Sequence, residues 1–252
     1  MSDLFWLTDA QIARLKPFFP NSHGKPRVDD KRVLSGIIFI NRNGLRWRDA
    51  PKEYGPHKTL YSRWKRWSEK GIFARMMVGL AAEHGEEKTV MIDATYLKAH
   101  RTATSMAAKK GGRGRLIGRT KGGMNTKLHA ICDSQGRPLN LIVTAGQVSD
   151  YTGARALLSS LPKVDWLLGD RGYDADWFRD ALKDKGIRVC IPGRKKRKAP
   201  VKYDKCRYKC RNRIEIMFGR LKDWRRVATR YDRCPKVFLS AIALTAIVIY
   251  WL

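Results

Sequence analysis

Five short apolar segments, separated by polar turns and helical stretches, constrain the fold of residues 89–193 more than any other feature of the chain. They read TVMID, KLHAICD, LNLIVTAG, VDWLLGD and IRVCIPG, and the turn SQGRP joins the second to the third as a hairpin. Helical patterns follow the third and the fourth segments. Strands connected partly by a hairpin and partly by helices predict an α/β domain with strands in mixed directions.

Residues 1–85 have a helical pattern instead. Thr8 is placed to cap a first helix in LTDAQIARLKPFF, and KRVLSGIIFINRNG keeps its apolar residues on one helical stripe. The turn RWRDAPKEYG then precedes the basic aromatic helix HKTLYSRWKRWSEKG. This order at residues 46–70 predicts a helix-turn-helix-type motif, whose second helix enters the major groove of DNA. The sequence GEEK, residues 85–88, marks the boundary with a second domain at residues 86–252.

The predicted recognition helix carries two kinds of side chain. Trp64 and Trp67 lie about one helical turn apart and are predicted to be core anchors. Four cations on its other faces are predicted to contact DNA phosphates: Lys58, Arg63, Lys65 and Arg66.

A strong positive charge indicates a polyanionic partner. The 252 residues include 52 Lys and Arg against 23 Asp and Glu, which gives a formal net charge of +29. Self-repulsion of this size is tolerated most easily when a polyanion neutralises it. Double-stranded DNA is therefore the leading partner, and an anionic membrane is the alternative.

The apolar C-terminal run bears on the membrane alternative. VFLSAIALTAIVIYWL, residues 237–252, has 16 uncharged residues, fewer than the roughly 18 or more expected of a membrane-spanning helix. It is predicted to be a buried terminal helix, with a membrane anchor as the alternative. The N-terminus has no basic segment followed by an apolar one, and five cysteines suit free thiols in a reducing compartment. A cytoplasmic location is therefore expected.

A basic, glycine-rich segment lies between the first two predicted strands. Residues 101–127 contain eight Lys or Arg, six Gly and no acid. Such a composition buries too little surface to order itself, so this segment is predicted to be a flexible loop that orders on nucleic acid. A plain solvated linker is the alternative.

Three carboxylates stand out from this basic background. Asp93 and Asp170 each end a predicted apolar strand, and functional sites form at the carboxyl ends of strands in α/β sheets. The third, Glu215, is the lone acid in YKCRNRIEIMFGRLK, residues 208–222. Each also has a simpler interpretation, because a strand-end Asp often caps the following turn and Glu215 can pair with Arg211 along the helix.

The periodicity of this helix favours a shared site. At about 100° per residue, one stripe about 60° wide holds four side chains: Tyr208, Arg211, Glu215 and Lys222. The stripe borders the apolar face, so the carboxylate of Glu215 is predicted to reach Asp93 and Asp170. Three converging carboxylates repel one another without cations, and their hard oxygens suit two Mg²⁺ or Mn²⁺ ions in phosphodiester chemistry.

The sequence resembles the DDE transposases of small bacterial insertion sequences, in the IS-five-like group. The C-terminal signature of that family, Tyr-x2-Arg-x3-Glu-x6-Lys, is matched at Tyr208, Arg211, Glu215 and Lys222. The second acidic motif, Asp-x-Gly-Tyr, is matched at Asp170, Gly172 and Tyr173, and Asp93 stands in MIDATYLKAH. The resemblance covers nearly the whole chain and includes residues 3–80 as the N-terminal DNA-binding region.

The resemblance implies a fold and a reaction. The fold is α/β, an RNase H-like mixed-sheet catalytic domain preceded by a small helical helix-turn-helix-type DNA-binding domain. The reaction is that of a transposase, which binds the terminal inverted repeats of its element, cleaves phosphodiester bonds at the ends and transfers the 3′-OH ends to target DNA. Since two ends are held together, a homodimer or a larger assembly on DNA is expected.

The resemblance also implies roles for the matched residues. Two divalent ions, Mg²⁺ or Mn²⁺, would be held by Asp93, Asp170 and Glu215. DNA phosphates or the helix that bears Glu215 would be positioned by its neighbours on the stripe, Tyr208, Arg211 and Lys222.

Two other functions share the same features. A catalytically dead, transposase-derived repressor would bind DNA without needing the three carboxylates. An RNase H-like nuclease would need them but would not join ends to a target.

Overall fold

The computed structural model describes residues 3–21, 28–84, 88–104, 114–197 and 199–252. Its helices are α1 (Asp9–Leu15), α2 (Asp30–Asn43), α3 (His57–Glu69), α4 (Ile72–Ala82), α5 (Arg101–Thr104), α6 (Asp150–Leu158), α7 (Asp176–Asp184), α8 (Lys205–Tyr208), α9 (Asn212–Lys222), α10 (Arg225–Ala228) and α11 (Pro235–Ala246). Short 3-10 turns lie at Lys16–Phe18, Trp47–Asp49, Lys52–Tyr54, Arg171–Tyr173 and Lys209–Arg211, and a π-helical turn, Ile247–Trp251, extends α11.

The strands of this described part form one mixed sheet: β1 (Thr89–Ala99), β2 (Gly118–Thr120), β3 (Gly123–Asp133), β4 (Pro138–Ala145), β5 (Trp166–Gly169), β6 (Arg188–Cys190) and β7 (Thr229–Arg230). β3 lies antiparallel between β1 and β4, whereas β1, β5 and β6 run parallel, so the order is β4-β3-β1-β5-β6. β2 pairs with the start of β3, and β7 pairs with the end of β1. The prediction of an α/β fold with a mixed sheet preceded by a helical region is confirmed. The RNase H-like assignment stays a prediction.

The first strand is longer than the sequence predicts, and Asp93 therefore lies inside β1 rather than at its end. β3 pairs along β1 from Val90 to Lys98, which keeps the strand extended beyond Asp93. The parallel neighbour β5 pairs only as far as Ile92, which lies opposite Gly169. Asp93 is thus the first residue of β1 beyond the parallel pairing, and this places it at the carboxyl edge of β5.

Helices cover both faces of the sheet. On one face, Val90 and Ile92 pack with α6 and α7 through the buried side chains of Leu157 and Phe178. On the other face, buried residues of β1, β3 and β5 pack with α9, α11 and the N-terminal helices in a second cluster. α11 is buried along most of its length, which confirms the prediction of a buried helix within residues 237–252. No helix in the described ranges is long and apolar enough to cross a bilayer.

The helical region and the sheet share that second cluster. Residues of α2, α3 and α4 and residues of α11 belong to the same set of packed buried side chains. The predicted boundary between residues 1–85 and 86–252 falls next to residues 85–87, which lie outside the described ranges, and the two-domain division stays a prediction.

Both ends of the predicted basic loop, residues 101–127, form regular secondary structure. Residues 101–104 form α5, and β2 and β3 form a hairpin from residue 118 onward in which Gly118 pairs with Asn125. Gly123 occupies the left-handed region at φ 95°, which a glycine adopts without strain and which allows the tight turn. Residues 105–113 lie outside the described ranges, so the predicted flexibility there stays untested.

Local sequence signals set the ends of the N-terminal helices. Thr8 caps the start of α1, as the sequence predicts, and it forms a capping box with Gln11. α2 begins after the N-cap Asp29 and ends at Gly44, whose φ of 71° is the left-handed conformation favoured at helix C-termini. Residues 44–56 join α2 to α3 through two 3-10 turns, a longer connection than the three- or four-residue turn of a helix-turn-helix motif.

α3 buries both predicted anchors, Trp64 and Trp67, but it also buries Arg63. The guanidinium of Arg63 donates to Asp30 at the start of α2 and lies 5.2 Å from the ring centroid of Trp67. The expectation that Arg63 faces solvent is therefore wrong, because residues 63 and 67 lie four apart on the same side of the helix. Lys58, Lys65 and Arg66 are exposed, as expected.

The burial of Arg63 predicts a stability effect that its exposed neighbour lacks. Arg63→Ala removes one partner of a mostly buried ion pair and the packing on Trp67, and it should lower the free energy of unfolding by about 3 kcal/mol. Arg66→Ala, on the exposed side of the same helix, should change it by less than about 0.5 kcal/mol. Urea denaturation of both variants measures the difference, and equal stabilities would contradict the structural role of Arg63.

Candidate active site

Asp93 and Asp170 lie side by side at one edge of the sheet. Ile92 pairs with Gly169 in parallel strands, and the residue that follows each of them in the chain is an aspartate. Neighbouring strands lie about 4.8 Å apart. Asp170 directly follows β5, and its Oδ1 accepts a hydrogen bond from the Gly172 N–H at 2.8 Å, so it also caps the turn. Oδ1 of Asp93 accepts from the Ala94 N–H at 2.8 Å.

Arg211 links the strand to the helix that carries the third carboxylate. Its Nη1 lies 3.0 Å from Oδ2 of Asp93, and its Nη2 donates to Oε1 of Glu215. Its guanidinium also lies 5.7 Å from the ring centroid of Tyr208. The side chain of Glu215 is 56% exposed, whereas those of Arg211 and Asp93 are largely buried.

Lys222 anchors the other end of the same stripe. Its Nζ donates a hydrogen bond of 2.6 Å to Oγ1 of Thr95, which lies two residues after Asp93 and so on the same face of β1. Burial lowers the pKa of Lys222. The stripe predicted from helical periodicity therefore exists and faces β1, although α8, a 3-10 turn and α9 replace the single continuous helix that the sequence predicts.

The charges around Asp93 oppose one another. The pKa of Asp93 is raised to about 6, chiefly by burial and also by the charges of Asp170 and Glu215, while the Ala94 N–H and Arg211 act to lower it. Burial alone acts to lower the pKa of Arg211, but Asp93 and Glu215 raise it overall. The carboxylates thus form one electrostatically coupled group, in which Arg211 supplies the compensating positive charge.

The expected convergence of the three carboxylates is partial. Within the described ranges, no three Asp, Glu, His or Cys side chains come close enough to hold a metal ion as they stand. The guanidinium of Arg211 contacts both Asp93 and Glu215 and occupies the space between them. The simpler interpretation of Glu215 is therefore realised, since it pairs with Arg211 along the helix. Its place in a shared metal site with Asp93 and Asp170 stays a prediction.

Thr95 is a residue of this group that the sequence does not single out. Only its position two residues after Asp93 in a strand indicates the shared face. Its hydrogen bond from Lys222 spans 127 positions of sequence and depends on how α9 packs on β1.

The family assignment follows from sequence comparison. A family model described as "Transposase DDE domain" matches residues 84–251, two thirds of the chain. The chain belongs to the DDE transposase family. A second model, described as "Putative transposase of IS4/5 family", matches residues 7–77. The DDE match covers the sheet and the helix of Glu215, and the other match covers α1 to α3 and the first half of α4.

Several curated proteins are similar to this DDE-family chain. An uncharacterized protein, y4sN, of Sinorhizobium fredii is 36% identical over 42% of this chain and 87% of its own length. The "Putative transposase for insertion sequence element IS6501" of Brucella ovis is 34% identical over 50% of this chain and 98% of its own length. The corresponding protein of IS402 from Burkholderia cepacia is 29% identical over 54% of this chain and 72% of its own length.

Two solved Mos1 transposase structures align weakly with this chain. The paired-end complex with the left transposon end gives a TM-score of 0.26 at 14% identity, over 68% of this chain and 61% of that one. The pre-cleavage transpososome gives 0.27 at 14% identity, over 90% of this chain and 82% of that one. At such scores the alignments add nothing to the topology described above.

Proposed function

We propose that this chain is a transposase that binds the terminal inverted repeats of an insertion sequence, cuts DNA at the ends and joins the freed 3′-OH ends to target DNA. The observation that carries the proposal is the arrangement of two aspartates at the ends of adjacent parallel pairings, faced by a helix stripe that holds Glu215, Arg211 and Lys222. Membership of the DDE transposase family supports it.

The carboxylates fit divalent metal ions. Asp93 and Asp170 offer only oxygen donors and are fixed on adjacent strands, while Glu215 has an exposed side chain that is able to turn. Hard oxygen ligands of this kind suit Mg²⁺ or Mn²⁺. Two ions held by the three residues would activate the attacking oxygen and stabilise the leaving oxygen. Arg211 pairs with Asp93 and Glu215 and so balances part of their negative charge. Bound divalent ions would balance the same negative charge.

The chain's own side chains would bind and orient the DNA. In hydrolysis, a water oxygen forms a bond to phosphorus as the bond to the 3′ oxygen breaks, which leaves a 3′-OH and a 5′-phosphate. In joining, that 3′-OH attacks a target phosphorus and a target 3′ oxygen leaves. Arg211, Lys222 and Tyr208 border the carboxylates and would position the phosphates for both steps.

The N-terminal helices would read the ends of the element. Lys58, Lys65 and Arg66 lie on the exposed side of α3 and would contact DNA, whereas Arg63 stabilises the fold. Each phosphate contact would weaken with salt, in line with counterion release. Because two ends must be joined, we propose that a homodimer or larger assembly forms on DNA, which light scattering of the complex with end DNA measures.

Joined products are the test of this function. Purified protein is incubated with Mg²⁺ or Mn²⁺, a target plasmid and labelled DNA that carries the sequences flanking its gene. Covalent joining of the labelled 3′ ends to the plasmid is the expected result. Cleavage without joining would indicate a nuclease, and binding without cleavage would indicate a repressor, so either outcome would overturn the proposal.

A further inference from the structure

Asp174 is a further carboxylate, four residues after Asp170, and it is fully buried and surrounded by nitrogen donors. Its side chain has 0% exposure. Oδ2 accepts a hydrogen bond from the backbone N–H of Arg194 at 2.8 Å, and Oδ1 accepts from Arg179 Nε at 2.8 Å and from Arg197 Nη1 at 2.9 Å. Burial acts to raise the pKa of Asp174, but these donors hold it below its ordinary value. The carboxylate of Asp174 is therefore ionised inside the protein and accepts hydrogen bonds from three residues; we call this arrangement the Asp174 hub.

This hub ties a basic segment, residues 194–197, to the turn that follows Asp170. Two of its donors, Arg194 and Arg197, belong to the segment. Arg197 also donates to Asp176, at the start of α7. Arg179 holds the residues that lead into the segment, because its Nη2 donates to the Ile191 carbonyl at 2.7 Å. The path of the segment is thus fixed by side-chain hydrogen bonds rather than by strand or helix pairing.

A tyrosine of α6 supports the same arrangement from the other side. The Tyr151 hydroxyl donates to the Asp174 carbonyl at 3.3 Å. The guanidinium of Arg194 lies 4.8 Å from the centroid of the Tyr151 ring. Tyr151 therefore contacts both the hub residue and the first residue of the basic segment.

The sheet places the basic segment at the same edge as the proposed catalytic carboxylates. β6 runs parallel to β5, so the chain leaves both strands at the same edge. The turn Arg171–Tyr173 spans the short distance from Asp170 to Asp174. Arg194, Lys195 and Lys196 are exposed there, and no ion pair within the described part of the chain engages Lys195 or Lys196.

We propose that residues 194–196 form a phosphate-binding surface for double-stranded DNA, and that Asp174 is the positioning residue that holds this surface at the edge of Asp93 and Asp170. The inference rests on the proposed function, since DNA is the partner. Cations held in a fixed backbone path lose less conformational freedom on binding than cations on a mobile loop. The arrangement would grip the DNA backbone next to the bond that is cut.

The surface is tested by paired charge removals. Lys195→Ala with Lys196→Ala removes two cations from the segment. Lys183→Ala with Lys185→Ala removes two exposed cations from the same α/β unit, at the opposite edge of the sheet where β6 begins. Binding to random duplex DNA is measured by fluorescence anisotropy in EDTA across a range of salt concentrations.

The two double variants should differ in salt dependence. The slope of log K against log salt should fall in magnitude by about 2 for the 195/196 variant, since each phosphate contact contributes about 0.9. The 183/185 variant should keep the wild-type slope. Equal slopes in the two variants would contradict the proposed phosphate-binding surface but would leave the proposed function intact. Wild-type protein that fails to bind DNA would overturn the proposed function itself.

The role of Asp174 is tested by a substitution that adds positive charge. Asp174→Asn keeps the shape but loosens the hold on Arg194 and Arg197, so affinity for the same DNA should fall by roughly threefold to tenfold. If Asp174 contributed only charge, the variant would bind DNA more tightly, as the exposed Asp184→Asn should. Limited trypsin digestion should also cut faster after Arg194, Lys195 and Lys196.

A third variant guards against misfolding. Should Asp174→Asn fail to fold by near-ultraviolet circular dichroism, Asp176→Asn removes the other acid that contacts Arg197, from a side chain that is 77% exposed. Weaker DNA binding in spite of its added positive charge is again the expected result. Binding as tight as that of Asp184→Asn, together with unchanged trypsin cleavage, would overturn the positioning role.

Discussion

Asp93→Asn and Asp170→Asn should each abolish DNA cleavage while DNA binding persists. Each substitution keeps the size of the side chain but removes a negative charge from the group that would hold the divalent ions. Loss of electrostatic stabilisation of this kind costs at least about 10²–10³-fold in rate. The affinity for DNA should stay the same or tighten slightly, because a negative charge next to a phosphate is removed.

Cleavage and binding are measured on the same preparations, with gel shifts in EDTA and with labelled end DNA in Mg²⁺ or Mn²⁺. Asp184→Asn is the matched control, since it neutralises an exposed carboxylate at the far end of α7. It should cut DNA at the wild-type rate. An Asp93 or Asp170 variant that also cuts at that rate would remove the residue from the proposed metal site.

The sheet was largely predictable because its signals are local. The apolar runs that the sequence singles out correspond to β1, β3, β4, β5 and β6. β2 and β7 escape detection because strands of three and two residues contain no recognisable alternation. The end of β1 is also not predictable from its own sequence, because the strand is extended by pairing with β3, which lies elsewhere in the chain.

In the candidate site, too, local features are predictable from the sequence and long-range contacts are not. Periodicity alone predicts the stripe of Arg211, Glu215 and Lys222, because the rotation per residue of a helix is fixed. The contact of Arg211 with Asp93 spans 118 positions, so no local pattern indicates that it separates the carboxylates. Arg63 was misplaced for a different reason. Its spacing of four from Trp67 did indicate the buried face, but its charge suggested a solvent contact instead.

The second large effect concerns the response of Glu215→Gln to metal. In metal-free protein, Glu215 contacts Arg211 from a side chain that is 56% exposed, and an exposed pair of this kind stabilises little. The substitution also relieves repulsion with Asp93. The variant in EDTA should therefore unfold within about 0.5 kcal/mol of wild type, or be slightly more stable.

Mn²⁺ should stabilise wild type more than Glu215→Gln. A ligand that binds only the folded state stabilises it by RT ln(1 + [L]/Kd), roughly 2.7 kcal/mol at a hundredfold excess over Kd. Wild type should gain melting temperature with Mn²⁺, and Glu215→Gln should gain clearly less because one of its three oxygen donors is lost. Thermal melts with EDTA and with Mn²⁺ measure both gains.

Glu69→Gln is the control that isolates the helical ion pair. Glu69 also pairs four residues along a helix, with Lys65 at 3.9 Å, and its side chain is 55% exposed, close to the value for Glu215. It lies on α3, outside the carboxylate group, so Glu69→Gln should keep the full wild-type response to Mn²⁺. If Glu215 served only as the partner of Arg211, both variants would lose a little stability in EDTA and respond to Mn²⁺ alike. A full response in Glu215→Gln would therefore remove Glu215 from the metal site and leave its pairing with Arg211 as its only role.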